Sequence, residues 1–284
     1  QWSTDSPISA LAFGNGLLYA GGDFEAAGGK AVDLIAAWDG AAWNEVAGGI
    51  ANEGYDKVFA LAAGDGYAIA GGYFRTIAGK RVDNVALLLG GEWLALGEGI
   101  NTDYSDSPGK SYAMAADDAG NVFVGGQFTR AGGIAAQNIA MWDGQRWHNI
   151  GDADNYIAAL AVGDGFLYAG GNFTQIGGVA ASHVARMNLQ TGQWSALSSG
   201  INGTVNALVY SDGILYAGGA FKSAGSATAE DVAYWDGANW HAFGTKYRIF
   251  EVGDKGGEVG TYVNALAVVG DNVYKIDDST KAKV

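Results

Sequence analysis

Short apolar runs recur along this chain at residues 8–13, 58–62, 112–116, 157–162, 205–210 and 263–268, separated by glycine-rich or polar turns. Runs of this length, rich in Val, Ile, Ala and Tyr, predict β-strands. We denote this first strand of each repeat strand A. It ends in Gly14-Asn15-Gly16, Gly64-Asp65-Gly66, Gly163-Asp164-Gly165 or Asp212-Gly213, residues that accept the positive φ of tight hairpins. Strand B follows with Leu18-Tyr19-Ala20-Gly21-Gly22-Asp23-Phe24, and near-copies return at 69–74, 123–128, 167–173 and 215–221. Its glycine pairs begin at positions 21, 71, 125, 170 and 218, so the spacings are 50, 54, 45 and 48 residues. Such a period marks a repeat architecture, with propellers in its range.

Glycine pairs in a strand admit a close backbone or a bulge, whereas a phosphate-cradling loop needs a helix N-terminus behind it. No helical periodicity follows any of the five pairs, so their role is architectural. A phenylalanine and a small loop come next, at 25–32, 75–82, 129–136, 174–181 and 222–229. Strand C then runs into a turn, as in Ile35-Ala36-Ala37-Trp38-Asp39-Gly40 and its counterparts from Ile139 and Val232. Strand D opens on Trp43, Trp93, Trp147, Trp194 or Trp240. Five large aromatics at one repeat position predict packing between repeats, the alternative being a ladder of sugar-stacking platforms.

The sixth repeat has strand A at 263–268 and strand B near 272–276, then loses Gly-Gly to Lys275-Ile276 and carries no tryptophan. Gln1-Trp2-Ser3 matches Gln193-Trp194-Ser195, which predicts that the N-terminus supplies the missing outer strand, with residues 280–284 as a stunted strand C. Closure would remove the exposed sheet edges. The expectation is an all-β single domain, a six-bladed β-propeller of four-stranded antiparallel blades, the last closed by the N-terminal strand. Its blades fall near 8–50, 56–100, 110–151, 156–201, 204–245 and 261–284 with 1–6.

Composition narrows the partners. Sixteen basic against thirty acidic residues give a net charge of −14, a field that repels phosphate backbones and anionic headgroups. Lys80-Arg81 and the tail after Asp278 are too short to reverse it, so neither nucleic acid nor membrane insertion is expected. Without cysteine the chain has no disulfide, thiolate metal site or cysteine nucleophile. It begins at Gln1, as a processed or trimmed product would, and it is open to continuing beyond Val284.

The double glycine ending strand B, followed by a Tyr/Trp-Asp turn and a tryptophan, resembles the kelch-type propeller repeat, most clearly over 184–194. The fuller pattern, Tyr-Ala-Gly-Gly-x-Phe with Ile-Ala-x-Trp-Asp-Gly-x-x-Trp, is similar to repeats of secreted bacterial surface proteins and of fungal Rax2-like cortical markers. The resemblance covers about residues 1–274 and implies a propeller in an extracellular or cell-surface setting. Its motif positions are structural and carry over no catalytic residue. Leu88-Leu89 depart from the pattern by replacing Trp-Asp.

Two links between strand D and the next strand A are expanded, 97–111 and 244–262. They break the repeat with carboxylates beside aromatics, which suit a sugar or a cationic partner. The candidate ligand-binding residues are Asp103, Tyr104 and Asp106 in the first, and Tyr247, Arg248, Phe250, Glu251, Asp254 and Tyr262 in the second. Asp152 and Asp154 in 152–155, like Asp103 and Asp106 in 103–106, offer hard oxygen ligands, which makes Ca²⁺ the one candidate cofactor, although neither stretch forms a complete EF-hand loop. His148 and His241 follow strand D tryptophans and are expected to face outward; His183 is expected on a blade surface. With no nucleophile elbow, the leading reading is an extracellular binding or adhesion propeller for a glycan or protein partner. The alternatives are a polysaccharide hydrolase or lyase with carboxylates near the central channel, and a self-associating structural module of a larger surface protein.

Overall fold

Five four-stranded antiparallel sheets follow one another in a computed structural model that describes residues 4–50, 54–103, 109–243, 248–251 and 263–277. The first is Ile8–Gly14, Leu17–Gly22, Ile35–Trp38 and Trp43–Glu45; the second is Lys57–Gly64, Tyr67–Tyr73, Val85–Leu89 and Glu92–Ala95. The third, fourth and fifth start at Lys110–Ala116, Ile157–Gly163 and Thr204–Ser211, and in every case the spatial order is A-B-C-D. The chain forms two compact units, Gln1–Asn149 with the first three sheets and Ile150–Lys283 with the others. Among the described residues no helix is long and apolar enough to cross a membrane.

The two glycines of each strand B do different work. Strand A is bulged in every repeat, for instance between Ser111 and Ala113, and the second glycine lies across that bulge. A β-carbon on Gly72, Gly126, Gly171 or Gly219 would collide with the carbonyl oxygen of Lys57, Lys110, Tyr156 or Thr204. The first glycine faces the next repeat instead: a β-carbon on Gly170 would stand 2.6 Å from Val205 Cγ1, and one on Gly218 2.7 Å from Val263 Cγ1. Bulge and close approach are thus both present, one for each glycine.

The loops between strands B and C are themselves small hairpins, such as Ala26–Ala27 with Lys30–Ala31 and Thr76–Ile77 with Lys80–Arg81. The links from strand D reach onto these hairpins. Ile100–Asn101 pairs with Arg130–Ala131, and the N–H groups of Ala78, Gly132 and Gly225 bond the carbonyls of Gly49, Gly99 and Gly200. The strand D tryptophans tie repeats together as well. All five are buried, and the indole N–H groups of Trp93, Trp147, Trp194 and Trp240 donate to the carbonyls of Val46, Leu96, Ile150 and Leu197, at 3.0, 2.7, 2.6 and 3.0 Å. Packing between repeats, the expected role, is what these residues do.

Three expectations need correction. The sixth sheet has three described strands, and the place beside its strand B (Asn272–Asp277) is taken by Arg248–Glu251, running parallel to it. Arg248, Phe250 and Glu251 therefore belong to a paired strand, not a free loop. The register Ala265 to Ile276 and Val263 to Asp277 matches Ala60 to Gly71 and Val58 to Gly72, so Ile276-Asp277 replace the glycine pair, one residue later than the sequence suggested. His183 does not lie on a blade surface: it is half-buried with φ 65°, its N–H donates to Phe173 O and its carbonyl accepts from Gly171. Leu34, Asn84, Asn138 and Asp231 hold the same left-handed position in the other repeats, where the chain turns from the hairpin into strand C.

Gln1-Trp2-Ser3 and residues 280–284 lie outside the described residues. Thr4 bridges Ala27, and Asp5 Oδ1 accepts from the N–H groups of Glu25 and Ala26. Asp154 holds Thr174 and Gln175 in the same way, as Asn202 holds Lys222 and Ser223. Asp154 follows Trp147 by seven residues and Asn202 follows Trp194 by eight, whereas Asp5 follows Trp2 by only three.

Candidate functional site

A cleft of about 380 Å³ opens between the first and second sheets, on the side of the A-to-B and C-to-D turns. Pockets that hold small ligands or inserted side chains start near this size, at about 300 Å³. One wall is a row across the first sheet, Tyr19, Ala37 and Asn44, placed side by side by the pairings Tyr19 to Ala37 and Ala37 to Asn44. Val46 continues that wall and Leu88 faces it from the second sheet; Glu45 and Tyr67 border the cleft, but Glu45 is in register with Ala36 on the other face and Tyr67 packs in the core shared with the third sheet.

Comparison of equivalent registers explains why space is left here. In the fourth repeat Tyr168 pairs with Arg186, and in the fifth Tyr216 pairs with Tyr234. Arg186 and Tyr234 therefore stand where the first repeat has Ala37. Tyr210, which ends strand A of the fifth repeat and stacks on Tyr168 at 5.4 Å, corresponds to Ala63. Trp235 corresponds to Leu88, and Phe243, packed 6.1 Å from Tyr216, corresponds to Val46. Smaller side chains at 37, 46, 63 and 88 leave open a groove that larger ones occupy in the fourth and fifth repeats. Part of this was visible in the sequence, where Leu88-Leu89 interrupts the Trp-Asp pattern. The rest needed the strand register.

The cleft is polar at its mouth. Asn15 accepts a hydrogen bond from Gly66 N across the two A-to-B turns. Asn44 Nδ2 donates to Asp39 Oδ2 at 2.9 Å. Burial raises the Tyr67 phenol above its ordinary range, and the carboxylates of Asp117, Asp118 and Asp65 add to the effect. That side chain packs with the core of the third sheet, behind the cleft wall.

The residues singled out in the expanded links are only partly placed. Asp103 is paired with the Arg130 guanidinium, which is the first cause of its lowered pKa, and its own N–H donates to Thr129 Oγ1. Tyr104, Asp106, Tyr247, Asp254 and Tyr262 lie outside the described residues. Asp154 braces the neighbouring hairpin: its carboxylate accepts from Thr174 N, Gln175 N and Thr174 Oγ1 at 2.6 to 3.0 Å. Among the described residues no group of three or more His, Cys, Asp or Glu is placed to hold a metal.

His148 and His241 are partly exposed strand residues, and each caps a C-to-D turn through Asp143 Oδ2 at 2.6 Å and Asp236 Oδ2 at 2.7 Å. His148 first, then the turn N–H groups, holds the Asp143 carboxyl far below the carboxylate range. The N–H groups of Asn239 and Ala238, then His241, bring Asp236 from 3.8 down to about 2. A depressed folded pKa means that this contribution to stability is complete above the unfolded value of 3.8 and is lost as pH falls through about 2. Asp236→Ala should therefore lower the melting temperature at neutral pH, and the gap to the parent protein should narrow below about pH 4 and close below about pH 2. Differential scanning calorimetry of both proteins across the acid range measures this; a gap independent of pH would contradict the turn-cap assignment.

No family model and no curated protein matches the sequence. Solved structures do. The chain is similar to the computationally designed Ika8 protein, at 19% identity over 96% of this chain and 69% of that one, with a TM-score of 0.54. It is similar to the WD40 β-propeller domain of Doa1, at 11% identity over 94% and 74% of the two chains, with a TM-score of 0.53. A chain of the mitotic checkpoint complex matches at 10% identity over 81% and 62%, with a TM-score of 0.51. The fold is a β-propeller. At these identities the likeness reaches no further than fold, and the kelch-type and Rax2-like resemblance rests on the sequence motifs alone.

Proposed function

We propose that this propeller is a non-enzymatic binding module that holds a partner through the cleft between its first two sheets. Propellers commonly serve protein recognition, and the neighbours include a chain from the mitotic checkpoint complex. The observation that carries the reading is the selective loss of bulk: Ala37 and Leu88 stand where equivalent grooves have Arg186 or Tyr234 and Trp235. Core packing alone favours filling such space, so an open groove of ligand size is a functional candidate.

The cleft supersedes the expanded links as the first place to look, because the link residues that are described are engaged in an ion pair or a strand. The motif resemblance supports an extracellular or cell-surface setting, which protease accessibility on intact source cells would test. Arrays of synthetic peptides and of glycans, probed with the parent protein and with Leu88→Trp, test the site itself. The substitution restores the residue that the motif has elsewhere and fills the groove; hits should weaken by about tenfold or more, the scale of losing a well-packed anchor. Hits that survive unchanged would remove the cleft as the binding site.

A further inference from the structure

One strand C position carries a long or large side chain in four of the five full sheets and a methyl group in the first. Leu87, Met141, Arg186 and Tyr234 occupy it, in register with Ile69, Phe123, Tyr168 and Tyr216 of strand B, whereas the first sheet has Ala37 opposite Tyr19. The fifth sheet shows what a ring does there. Tyr234 lies 6.5 Å from the Tyr216 ring, stacks on His241 at 4.9 Å and meets Phe243 edge-on at 5.6 Å. Those four side chains form one aromatic layer across the face of the sheet.

The first sheet keeps one member of that layer. Tyr19 corresponds to Tyr216, while Ala37, Asn44 and Val46 stand at the places of Tyr234, His241 and Phe243. All four line the cleft, and Leu88 faces them from the second sheet, so the floor of Ala37, Val46 and Leu88 is apolar. Asn44 supplies one directional group. Its Nδ2 donates to Asp39 Oδ2 at 2.9 Å and to Ala42 O at 3.2 Å, which leaves Oδ1 as an acceptor with no hydrogen bond among the described residues. An apolar slot beside an aromatic ring, with an acceptor at its edge, suits an aromatic side chain that ends in a donor. A phenol is the group that fills the equivalent place in the fifth sheet.

We propose that the cleft receives a tyrosine side chain of a protein partner, its ring lying over Ala37 against Tyr19 and Leu88 and its hydroxyl donating to Asn44 Oδ1. This names the ligand of the cleft and rests on the reading of the cleft as the binding site. The inserted ring completes from outside the layer that Tyr234 completes from within the fifth sheet.

The test is an NMR titration that follows the methyl resonances of Ala37, Val46 and Leu88, which a ring seated on them moves upfield. The probes are acetyl-Gly-Tyr-Gly-amide and its phenylalanine and leucine counterparts. The tyrosine peptide should shift these methyls saturably and bind about tenfold more tightly than the leucine peptide, the scale of an aromatic contact with a hydrogen bond. It should bind about fivefold more tightly than the phenylalanine peptide, the scale of one neutral hydrogen bond. Asn44→Ala should bring the tyrosine peptide down to the level of the phenylalanine peptide. Ala37→Tyr should abolish binding by filling the slot internally, and Asn44→Ala still decides the matter if that variant fails to fold. Leucine binding as tightly as tyrosine, a preference over phenylalanine that is absent or survives Asn44→Ala, or binding that survives in a folded Ala37→Tyr protein overturns the proposal. An array ligand without an aromatic group whose binding is lost in Leu88→Trp would overturn the tyrosine assignment and leave the cleft reading intact. If no array ligand responds to Leu88→Trp, both fall.

Discussion

Gly126→Ala is expected to lower stability by about 3 kcal/mol, the range in which extra atoms in a packed site force the backbone to move. The added β-carbon would run into the Lys110 carbonyl oxygen and lie 3.0 Å from Ser111 Cα, both main-chain atoms of the bulged strand A. A side chain could swing away; this carbonyl can move only by giving up the bulge. Gly165 is the control. It sits in an A-to-B turn at φ 76° with nothing within 4 Å of an added methyl, so Gly165→Ala should cost only about 1 kcal/mol, from the left-handed backbone. Urea unfolding of both variants measures the contrast. Similar losses in the two would mean that backbone conformation, not the approach across the bulge, selects the strand B glycines.

The second large effect is expected at Trp93. It is 1% exposed, packs in the core shared by the first two sheets, and donates its indole N–H to Val46 O at 3.0 Å. Trp93→Ala should cost about 4 kcal/mol through the cavity it leaves. Trp93→Phe keeps most of the ring and loses the donor, leaving the Val46 carbonyl without it, for about 1 to 2 kcal/mol. Because Val46 also lines the cleft, Trp93→Phe should weaken cleft ligands more than its effect on stability alone accounts for. Parallel melting and binding measurements separate the two. A Trp93→Phe protein with parental melting and parental binding would show that the indole bond ties nothing together.

The five full sheets are legible in the sequence because their determinants are local. An apolar run ending in Asn-Gly or Asp-Gly sets a hairpin within a few residues, and the recurring Gly-Gly and tryptophan fix which strand is which. The sixth sheet departs from expectation for the opposite reason. Arg248–Glu251 pairs with Asn272–Asp277 in parallel, across a long separation, and nothing in the other repeats provides a template for it. His183 departs because its position is set by backbone conformation: Leu, Asn, His and Asp share it at φ from 64 to 74°, with no common side-chain chemistry to mark it.

The cleft is hidden from sequence reading because it consists of missing atoms. Ala37, Val46, Ala63 and Leu88 are ordinary residues of apolar strands, and only their alignment with Arg186, Phe243, Tyr210 and Trp235 gives their small size a meaning. Carboxylates beside aromatics are sound binding chemistry, but the sequence displays them most densely in its irregular links, whereas the open groove lies between regular strands.

The replacement of the glycine pair by Ile276-Asp277 bears on how such a chain can be re-engineered. A repeat duplicated in tandem after the first, second, fourth or fifth would bring its strand A onto a strand B with a bare glycine, as Val58, Met114, Val205 and Val263 meet Gly21, Gly71, Gly170 and Gly218. The sixth strand B has an isoleucine in that glycine's register position. Repeat copy number in this protein can therefore grow from within, while extension past the sixth sheet would first require glycine to be restored at 276.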